Sequence, residues 1–227
     1  MNVVFYLAAF LVSYLIGGLN ASILYSKFKH TEDIRTLGSK NAGTTNVLRV
    51  FGRLPAAFTL IWDIAKAVIA VLAARLIFRS DEAACVWACQ GAAFGVVAGH
   101  CFPVYFGFRG GKGVTAYMGA MLVINPYAAL LGLALFIVLV AITRYVSLGS
   151  VSGCLSYPVW VAVLGYASVY GSHIPLNIAL ALLPALLIAI QHRGNIKRLL
   201  TGTERKLSFS KRPPEQEKKE ENTENGR

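Results

Sequence analysis

The chain has 227 residues, of which 56% are hydrophobic and only 15% are charged, and its formal net charge is +11. Because a soluble domain carries about 25% charged residues, this composition excludes an ordinary soluble protein and indicates an integral membrane protein. The Lys and Arg residues lie in clusters beside hydrophobic segments, a pattern typical of cytoplasmic loops that argues against nucleic-acid binding.

Six segments are long and apolar enough to cross a bilayer, which takes about 20 residues in a helix. In chain order they are residues 3–25, 54–78, 83–102, 126–143, 146–167 and 174–191. A shorter apolar stretch occupies residues 112–124, and Asn125-Pro126 separates it from the next span because proline disfavours helix in the residue before it. We therefore predict an all-α integral membrane protein with seven transmembrane helices, one of them short.

The distribution of positive charge predicts the orientation of these helices. With seven spans and the N-terminus outside, the loops at 27–53, 104–112 and 144–145 and the C-terminal tail all lie in the cytoplasm. With six spans, the basic 27–53 loop and the basic tail would lie on opposite sides of the membrane, so seven spans are favoured. We predict a single membrane domain over residues 1–207, followed by a disordered, charged cytoplasmic tail over residues 208–227.

The first polar segment, residues 38–49, combines glycines with hydroxyl, amide and guanidinium groups. Gly38 and Gly43 allow a backbone that turns successive N–H groups toward an anion, and Arg49 offers a bidentate fork for phosphate. The remaining polar side chains of this segment include Ser39, Asn41, Thr44, Thr45 and Asn46. The alternative interpretation is an ordinary turn followed by a helix cap.

The second polar segment, residues 107–113, ends in Gly-Gly-Lys-Gly. It is not a nucleotide-binding P-loop, because Phe106 stands where the first glycine belongs and Gly113 stands where Ser or Thr should follow the lysine. What remains is Lys112 between Gly111 and Gly113 at a predicted helix N-terminus, where backbone amides and the helix dipole favour an anion. The alternative is a positively charged loop that only sets membrane orientation.

The third polar segment, residues 192–204, follows the last span directly. His192 has the side chain best suited to proton transfer near neutral pH. In a helical continuation Asn195 shares the face of His192 and is placed to orient the ring or polarise a carbonyl group. The alternative is that His192 only anchors the chain at the membrane interface.

Two ionisable residues lie within the second predicted span. Asp63 and Lys66 are three residues apart, and charged groups inside a membrane usually face the bundle interior as partners. We interpret them as a structural ion pair that supports the site, with a proton or ion path as the competing interpretation. His100, at the end of the third span, is assigned to structuring the second polar segment.

Together the three polar segments closely resemble the motifs of the bacterial membrane glycerol-3-phosphate acyltransferases that use acyl phosphate as donor. The likeness covers about residues 3–207, with motifs similar to residues 34–49, 99–114 and 192–204, and an Asp-x-x-Lys in the second span. The resemblance implies seven helices, a multi-pass location in the bacterial plasma membrane and an active site that faces the cytoplasm. It leaves open transient contact with a soluble enzyme that produces acyl phosphate.

The resemblance also implies roles for individual residues. The catalytic and phosphate-binding centre would consist of Ser39, Arg49, Lys112, His192 and Asn195. The substrates would be lined by Asn41, Gly43, Thr45, Asn46, Gly111 and Gly113. Support would come from Asp63, Lys66, His100, Gly202 and Glu204. The chain departs from the family pattern at Lys40 and Ala67, where glycine is usual, and at Thr44, where alanine is common.

The expected reaction is transfer of a fatty acyl group from acyl phosphate to the 1-hydroxyl of sn-glycerol 3-phosphate, which forms lysophosphatidic acid for phospholipid synthesis. Acyl phosphate is a mixed anhydride with a good leaving group, so no metal ion, cofactor or covalent serine intermediate is expected. The sequence leaves open whether His192 or a substrate phosphate takes the hydroxyl proton. The alternative function is a membrane transporter of a phosphorylated metabolite, which would use the same basic cluster without chemistry.

Overall fold

The structure, a computed structural model, describes residues 3–165 and 173–207. Within these ranges the chain forms ten α-helices and one 3₁₀ turn at Val104–Phe106. The helices are α1 Val3–Gly17, α2 Ala21–Phe28, α3 Thr44–Val50, α4 Arg53–Ile77, α5 Glu82–Cys101, α6 Val114–Ile124, α7 Pro126–Thr143, α8 Val146–Gly165, α9 Ile174–Gln191 and α10 Arg193–Leu200. The predicted tail at 208–227 and the end of the span predicted at 146–167 lie outside the described residues.

Six membrane-length helical stretches occur in the described part of the chain, and α6 is a shorter apolar helix of 11 residues. The observed bounds of α7 and α9 coincide with the predicted spans at 126–143 and 174–191. Helices α4 and α5 begin and end within one residue of the prediction. The all-helical architecture predicted from the sequence is therefore present.

The first predicted span, residues 3–25, is not one continuous helix. Helix α1 ends at Gly17, and α2 begins at Ala21 because the Asn20 side chain accepts hydrogen bonds from the N–H groups of Ser22 at 3.1 Å and Ile23 at 3.3 Å. This is the N-cap arrangement, which starts a new helix. The prediction of an unbroken helix was wrong, although α1 and α2 together have the length and apolarity of one span.

Helix α5 lies at the centre of the bundle and packs against α1, α4, α6 and α9. Most of its buried side chains are small, among them Ala88, Ala92, Ala93 and Val96. Lipid tails are as apolar as the side chains of a membrane helix, so the hydrophobic effect does not drive helices together within the bilayer. Small residues instead let the helix backbones approach closely and gain van der Waals contact. The end of α5 carries His100 into the region where the polar segments meet.

Contacts at the ends of the helices show which ends lie together. The Leu207 N–H donates to the Arg144 carbonyl at 2.8 Å, so the end of α7 lies beside the end of the third polar segment. Arg75, near the far end of α4, donates from Nη1 to the Val123 carbonyl at 2.8 Å. Helix α6 therefore begins at the polar end of the bundle, which is the end where the polar segments 38–49, 107–113 and 192–204 lie. It runs toward the opposite end, where Arg75 donates to one of its last carbonyl groups.

Candidate active site

The first polar segment is organised around the buried side chain of Asn46. Its Nδ2 group donates to the carbonyl groups of Ile34 at 3.1 Å, Leu37 at 2.9 Å and Asn41 at 3.0 Å. Its Oδ1 accepts the Ser39 N–H at 2.8 Å. Because a buried amide must find partners for all its polar groups, Asn46 fixes the loop around itself, and its amide is used within the loop.

Three of the backbone N–H groups expected to form an anion nest in this loop instead donate hydrogen bonds within the loop. Those of Ser39, Lys40 and Gly43 donate to Asn46, Leu37 and Asn41 within the loop. Lys40 has a φ of 57°, a left-handed conformation that favours glycine. The local backbone thus gives a physical reason for the glycine that the family resemblance implies at this position.

The side chains assigned to substrate in the first segment lie around this loop and the helix that follows it. Gly43 precedes α3 as its N-cap, and Arg49 lies in the last turn of α3. Ser39 is exposed, while Asn41, Thr45 and Arg49 are half-buried. The segment therefore presents polar groups at the surface of the polar end and keeps Asn46 beneath them.

The second segment is held against the end of α5. The N–H groups of Gly110 and Gly111 donate to the carbonyl groups of Cys101 and His100, both at 3.0 Å. A side chain at position 111 would place its Cβ less than 3.0 Å from both the Ala42 carbonyl oxygen and the His100 Nε2. Only glycine fits this close approach of the first segment, the second segment and α5. Gly113 then precedes α6 as its N-cap.

Lys112 connects the second segment to the third. Its Nζ donates to the Asn195 Oδ1, and the Asn195 Nδ2 donates to Glu204 Oε1 at 2.7 Å. Burial lowers the pKa of Lys112 to about 8, although the negative charge of Glu204 acts in the opposite direction. Lys112 is thus a largely charged ammonium at neutral pH whose proton is easier to lose than that of an exposed lysine.

Glu204 holds the third segment in place through three donors. Besides Asn195, the Ser147 hydroxyl donates to Oε1 and the Arg198 Nε donates to Oε2, each at 2.7 Å. Burial raises the pKa of Glu204, but these three hydrogen bonds outweigh it and the net pKa is lowered. Glu204 is therefore ionised at neutral pH. Gly202 lies in the turn that brings Glu204 back toward Asn195.

His192 lies at the junction of α9 and α10 and is buried. Its Nδ1 is 2.8 Å from the Ile188 carbonyl oxygen. A carbonyl oxygen can only accept, so Nδ1 carries the proton and Nε2 keeps a lone pair in the neutral ring. Burial and the nearby charge of Lys112 lower the pKa of His192 to about 4. At neutral pH the ring is therefore uncharged, with Nε2 able to accept a proton or a hydrogen bond.

The expected ion pair is present beneath the second segment. Lys66 Nζ lies 2.8 Å from Asp63 Oδ1 and 3.1 Å from His100 Nδ1, and it donates to the Gly17 carbonyl at 2.9 Å. All three ionisable side chains are buried. This cluster joins the end of α1, the middle of α4 and the end of α5, and His100 extends it to Gly111.

The structure brings together Lys112, Asn195 and Glu204 by direct contact, with His192 close enough for the Lys112 charge to lower its pKa. The sequence analysis missed Ser147, because this serine lies in α8, far in sequence from its partner Glu204, and no motif surrounds it. It also counted Arg35 only as a positive charge, although Arg35 lies inside the first motif. Among the described residues there is no group of three or more His, Cys, Asp or Glu side chains arranged to hold a metal ion.

Comparison with known proteins gives consistent results. The family model described as glycerol-3-phosphate acyltransferase matches residues 7–202. A glycerol-3-phosphate acyltransferase of Clostridioides difficile (strain 630) is 42% identical over 211 residues, which cover 93% of this chain and 100% of the relative. One from Thermoanaerobacter sp. (strain X514) is 38% identical over 197 residues, covering 87% of this chain and 93% of the relative.

Two solved structures of an integral membrane glycerol 3-phosphate acyltransferase are also similar. The glycerol 3-phosphate form has a TM-score of 0.77 and 31% identity, and the match covers 89% of this chain and 96% of that one. The lysophosphatidic acid form has a TM-score of 0.76 and 32% identity, with 90% and 96% covered. The likeness thus extends over about nine tenths of the chain.

Proposed function

The chain belongs to the glycerol-3-phosphate acyltransferase family, and we propose that its three polar segments form one site in which acyl phosphate gives its acyl group to the 1-hydroxyl of sn-glycerol 3-phosphate. The chain is an integral membrane acyltransferase of phospholipid synthesis, and its product is lysophosphatidic acid. The comparisons do not support the transporter alternative. The identity of the donor, the hydroxyl that reacts and the residue roles are our proposal.

The observation that carries this proposal is the link from Lys112 through Asn195 to Glu204 beside the neutral ring of His192. A half-buried ammonium is suited to bind a phosphate group, and an imidazole with a free Nε2 is suited to a hydroxyl that must lose a proton. The proposal thus gives the site two contrasting groups, one for the charge of a substrate and one for the reacting hydroxyl.

In the proposed reaction the 1-hydroxyl oxygen attacks the acyl carbon, and the bond from that carbon to the phosphate oxygen breaks. Inorganic phosphate leaves with the bonding electron pair. The hydroxyl proton goes either to His192 Nε2 or to a substrate phosphate that His192 and Asn195 orient. Because the leaving group is already good, positioning and charge stabilisation by Lys112 supply most of what the protein must add.

The low pKa of His192 belongs to the substrate-free site. A phosphate group carries a charge of about −1.5 to −2 near pH 7, and an opposite charge nearby favours the protonated form of a base. Substrate binding therefore raises the pKa of His192 and makes it a stronger base when the hydroxyl is present. The same negative charge stabilises the protonated form of Lys112.

We assign the other residues to substrate contact or support. Both substrates carry phosphate, which gives Ser39, Arg49 and Lys112 a common purpose, and the flanking positions line the same space: Asn41, Gly43, Thr45, Gly111 and Gly113. Asn46, which the sequence predicts to line it, instead supports the first segment from beneath, because its amide is used within the loop. The supporting positions are Asp63, Lys66, His100, Gly202 and Glu204. In this assignment the buried ion pair and His100 act through the second segment rather than through a proton path.

We also propose seven spans with the N-terminus outside and the polar segments facing the cytoplasm. The support is the concentration of Lys and Arg in loops at the polar end and the course of α6 toward the end where Arg75 lies. A crossing by the short α6 returns the end of α7, and with it Leu207 and the third polar segment, to the end that carries Lys112; the contacts of Leu207 with Arg144 and of Lys112 with Asn195 support this.

The roles of Lys112 and His192 are tested by Lys112→Ala and His192→Ala in purified, folded enzyme. Each variant is expected to lower turnover at least about tenfold, because each removes a charge-bearing or proton-accepting group. Arg193→Ala is the matched control, since Arg193 is an exposed basic residue next to His192. Near-normal turnover in both Lys112→Ala and His192→Ala would contradict the assignment.

The donor is tested by measuring phosphate release from acyl phosphate with and without glycerol 3-phosphate. Release that depends on glycerol 3-phosphate and matches the formation of lysophosphatidic acid supports acyl phosphate as the donor. Equal or faster product formation when acyl-CoA replaces acyl phosphate would overturn that part of the proposal and leave the acyltransferase activity intact.

A further inference from the structure

Arg35, in the loop between α2 and α3, reaches the second polar segment through its side-chain hydrogen bonds. Its Nη1 donates to the carbonyl groups of Phe106 at 2.7 Å and Arg109 at 3.1 Å. Arg109 precedes Lys112 by only three residues. Arg35 thus binds the backbone of the loop that carries the proposed phosphate-binding lysine.

The opposite edge of the same guanidinium is held by Asp33. The Arg35 Nε lies 3.0 and 3.1 Å from the two Asp33 carboxylate oxygens, and Nη2 lies 2.7 Å from Oδ2. The Asp33 carboxylate also accepts the Arg35 N–H at 2.9 Å. A guanidinium is planar, with its donors in a fixed fork, so Asp33 on one edge determines where the other edge points.

Arg35 is also connected, through its neighbour Ile34, to the hydrogen bonds that position Ser39. Its neighbour Ile34 is fully buried, and the Ile34 carbonyl accepts from Asn46, whose Oδ1 accepts the Ser39 N–H. A continuous set of contacts therefore runs from Ser39 through Asn46 and Ile34 to Arg35, and then across to the loop before Lys112. On its other side that loop is held by the end of α5 through Gly110 and Gly111.

From this geometry we infer that Arg35 is a positioning residue that fixes the separation between the phosphate-binding groups of the first polar segment and Lys112, with Asp33 orienting it. The inference rests on the proposed role of Lys112 in phosphate binding. The Arg35 guanidinium donates to backbone carbonyls and to Asp33. Asp33 also offsets its charge, so Arg35 acts through the loop it holds.

The kinetic consequence follows from what a phosphate group must do in the site. Groups from both segments have to reach it at once, and a misplacement of about 1 Å in a positioned group can cost two orders of magnitude in rate. Without Arg35 the separation varies in the free enzyme, and substrate binding must restore it. Most of the loss should then appear in KM for glycerol 3-phosphate, with kcat less affected.

The variant that tests this inference is Arg35→Lys, which keeps the positive charge but cannot span Asp33 and two carbonyl groups. We expect kcat/KM for glycerol 3-phosphate to fall by roughly tenfold or more, since several charge-assisted hydrogen bonds are lost, with most of the change in KM. The control is Arg53→Lys, because Arg53 is exposed at the start of α4 at the same end of the bundle. It should leave both constants unchanged.

A second measurement separates positioning from a general loss of structure. In substrate-free Arg35→Lys and Asp33→Asn, amide hydrogen exchange over residues 106–113 should become faster, while exchange over α7 and α8 stays at the wild-type rate. Glycerol 3-phosphate should restore protection of 106–113 in both variants. Faster exchange throughout the protein would identify a folding defect and overturn the inference.

The inference is also overturned if Arg35→Lys has the wild-type KM, or if exchange over 106–113 does not change. These outcomes are separable from failure of the proposed function. A normal Arg35→Lys together with an impaired Lys112→Ala rejects only the positioning role of Arg35. Normal activity in Lys112→Ala and His192→Ala rejects the proposed site itself.

Discussion

Lys112 and His192 have opposite pH requirements at the residue scale. In the proposed site, Lys112 must be protonated to bind phosphate. Its pKa is lowered to about 8, so its contribution is present below pH 8 and lost as the pH rises through that value. His192 must be neutral to accept a proton, and its pKa is lowered to about 4, so it is competent above that value. Between about pH 4 and pH 8, the free enzyme therefore has Lys112 protonated and His192 neutral, as the proposed reaction requires.

We predict that kcat/KM for glycerol 3-phosphate falls as the pH rises through about 8, because kcat/KM reports ionisation of the free enzyme. The acid side is less informative, since a phosphate ester itself titrates near about pH 6. Lys112→Arg should remove the alkaline decline, because a guanidinium stays charged, whatever its effect on the maximum rate. The measurement is the pH profile of kcat/KM, corrected for uncatalysed donor hydrolysis.

The matched control for this profile is Lys197→Arg. Lys197 is an exposed lysine on α10, and its replacement should keep the alkaline decline. An alkaline decline that persists in Lys112→Arg would assign the titration to another group and remove the pKa argument for Lys112.

The sequence singled out residues that the structure brings together, such as Lys112 and Asn195, but it did not predict their contacts. Lys112, His192 and Asn195 could be selected because glycines, an interfacial histidine and helical spacing are local signals. Ser147 contacts Glu204, which lies 57 positions further along the chain, and Arg35 contacts Phe106, which lies 71 positions further along. No local sequence pattern indicates contacts over such separations. Asn46 shows the same limit, because a polar residue that the sequence assigned to substrate binding serves the loop itself.

At the scale of helices, the bounds of α7 were predictable because Asn125 and Pro126 define its start. Asn125 accepts the Ala128 N–H at 3.0 Å, and proline occupies the first turn. The break after Gly17 was missed because hydropathy averaged over a whole span does not register a single capping residue. The break is also supported by Lys66 and Trp62, whose side chains donate to the Gly17 and Leu19 carbonyls from another helix.

The contact between α1 and α5 depends on glycine at one turn of α5 but not at the preceding turn. A Cβ at position 95 would lie less than 3.0 Å from the Phe10 carbonyl oxygen, whereas a Cβ at position 91 meets no atom within 4 Å. We predict that Gly95→Ala destabilises the protein by about 1–3 kcal/mol, because the added methyl group forces the helices apart. Gly91→Ala, four residues earlier, should be neutral or stabilising by up to about 1 kcal/mol.

The measurement is the thermal unfolding midpoint of both variants in one detergent. Gly95→Ala should unfold at a lower temperature than the wild type, and Gly91→Ala should not. Equal midpoints for the two variants would mean that α1 can shift away from α5 at no cost, which contradicts the close packing of the two helices at Gly95.

The whole molecule concentrates its polar chemistry at one end of an apolar bundle. The first, second and third polar segments contact one another there through Arg35, Ala42, Lys112 and Asn195. Arg75 was the one basic residue near the opposite end that lacked an acidic neighbour in the charge pattern, and its hydrogen bond to the Val123 carbonyl explains why it lies there. The charge pattern alone predicted the shared end, whereas the role of Arg75 required the structure.

The number of spans determines whether the loop after α2 and the segment after α10 lie on the same side of the membrane. Lys29, between α2 and α3, and Lys206, after α10, lie on the same side of the membrane with seven spans and on opposite sides with six. Arg79, between α4 and α5, lies on the other side from Lys29 in either case. We propose to replace the four cysteines, Cys85, Cys89, Cys101 and Cys154, and to introduce Lys29→Cys, Lys206→Cys or Arg79→Cys one at a time.

A membrane-impermeant maleimide applied to cells with a permeabilised outer layer and an intact plasma membrane should label the Arg79→Cys protein only. Lys29→Cys and Lys206→Cys should react only after the plasma membrane is opened. Labelling of Lys206→Cys but not Lys29→Cys in intact membranes would mean that α6 does not complete a crossing. Because an 11-residue helix extends only about 16 Å, roughly half of the hydrocarbon core, a full crossing by α6 requires the Gly-rich loop before it to enter the membrane interface. Labelling from the cytoplasmic side alone at both lysine positions would therefore also place Lys112 at the level of the lipid headgroups, where an acyl chain in the membrane and a soluble phosphate ester can meet.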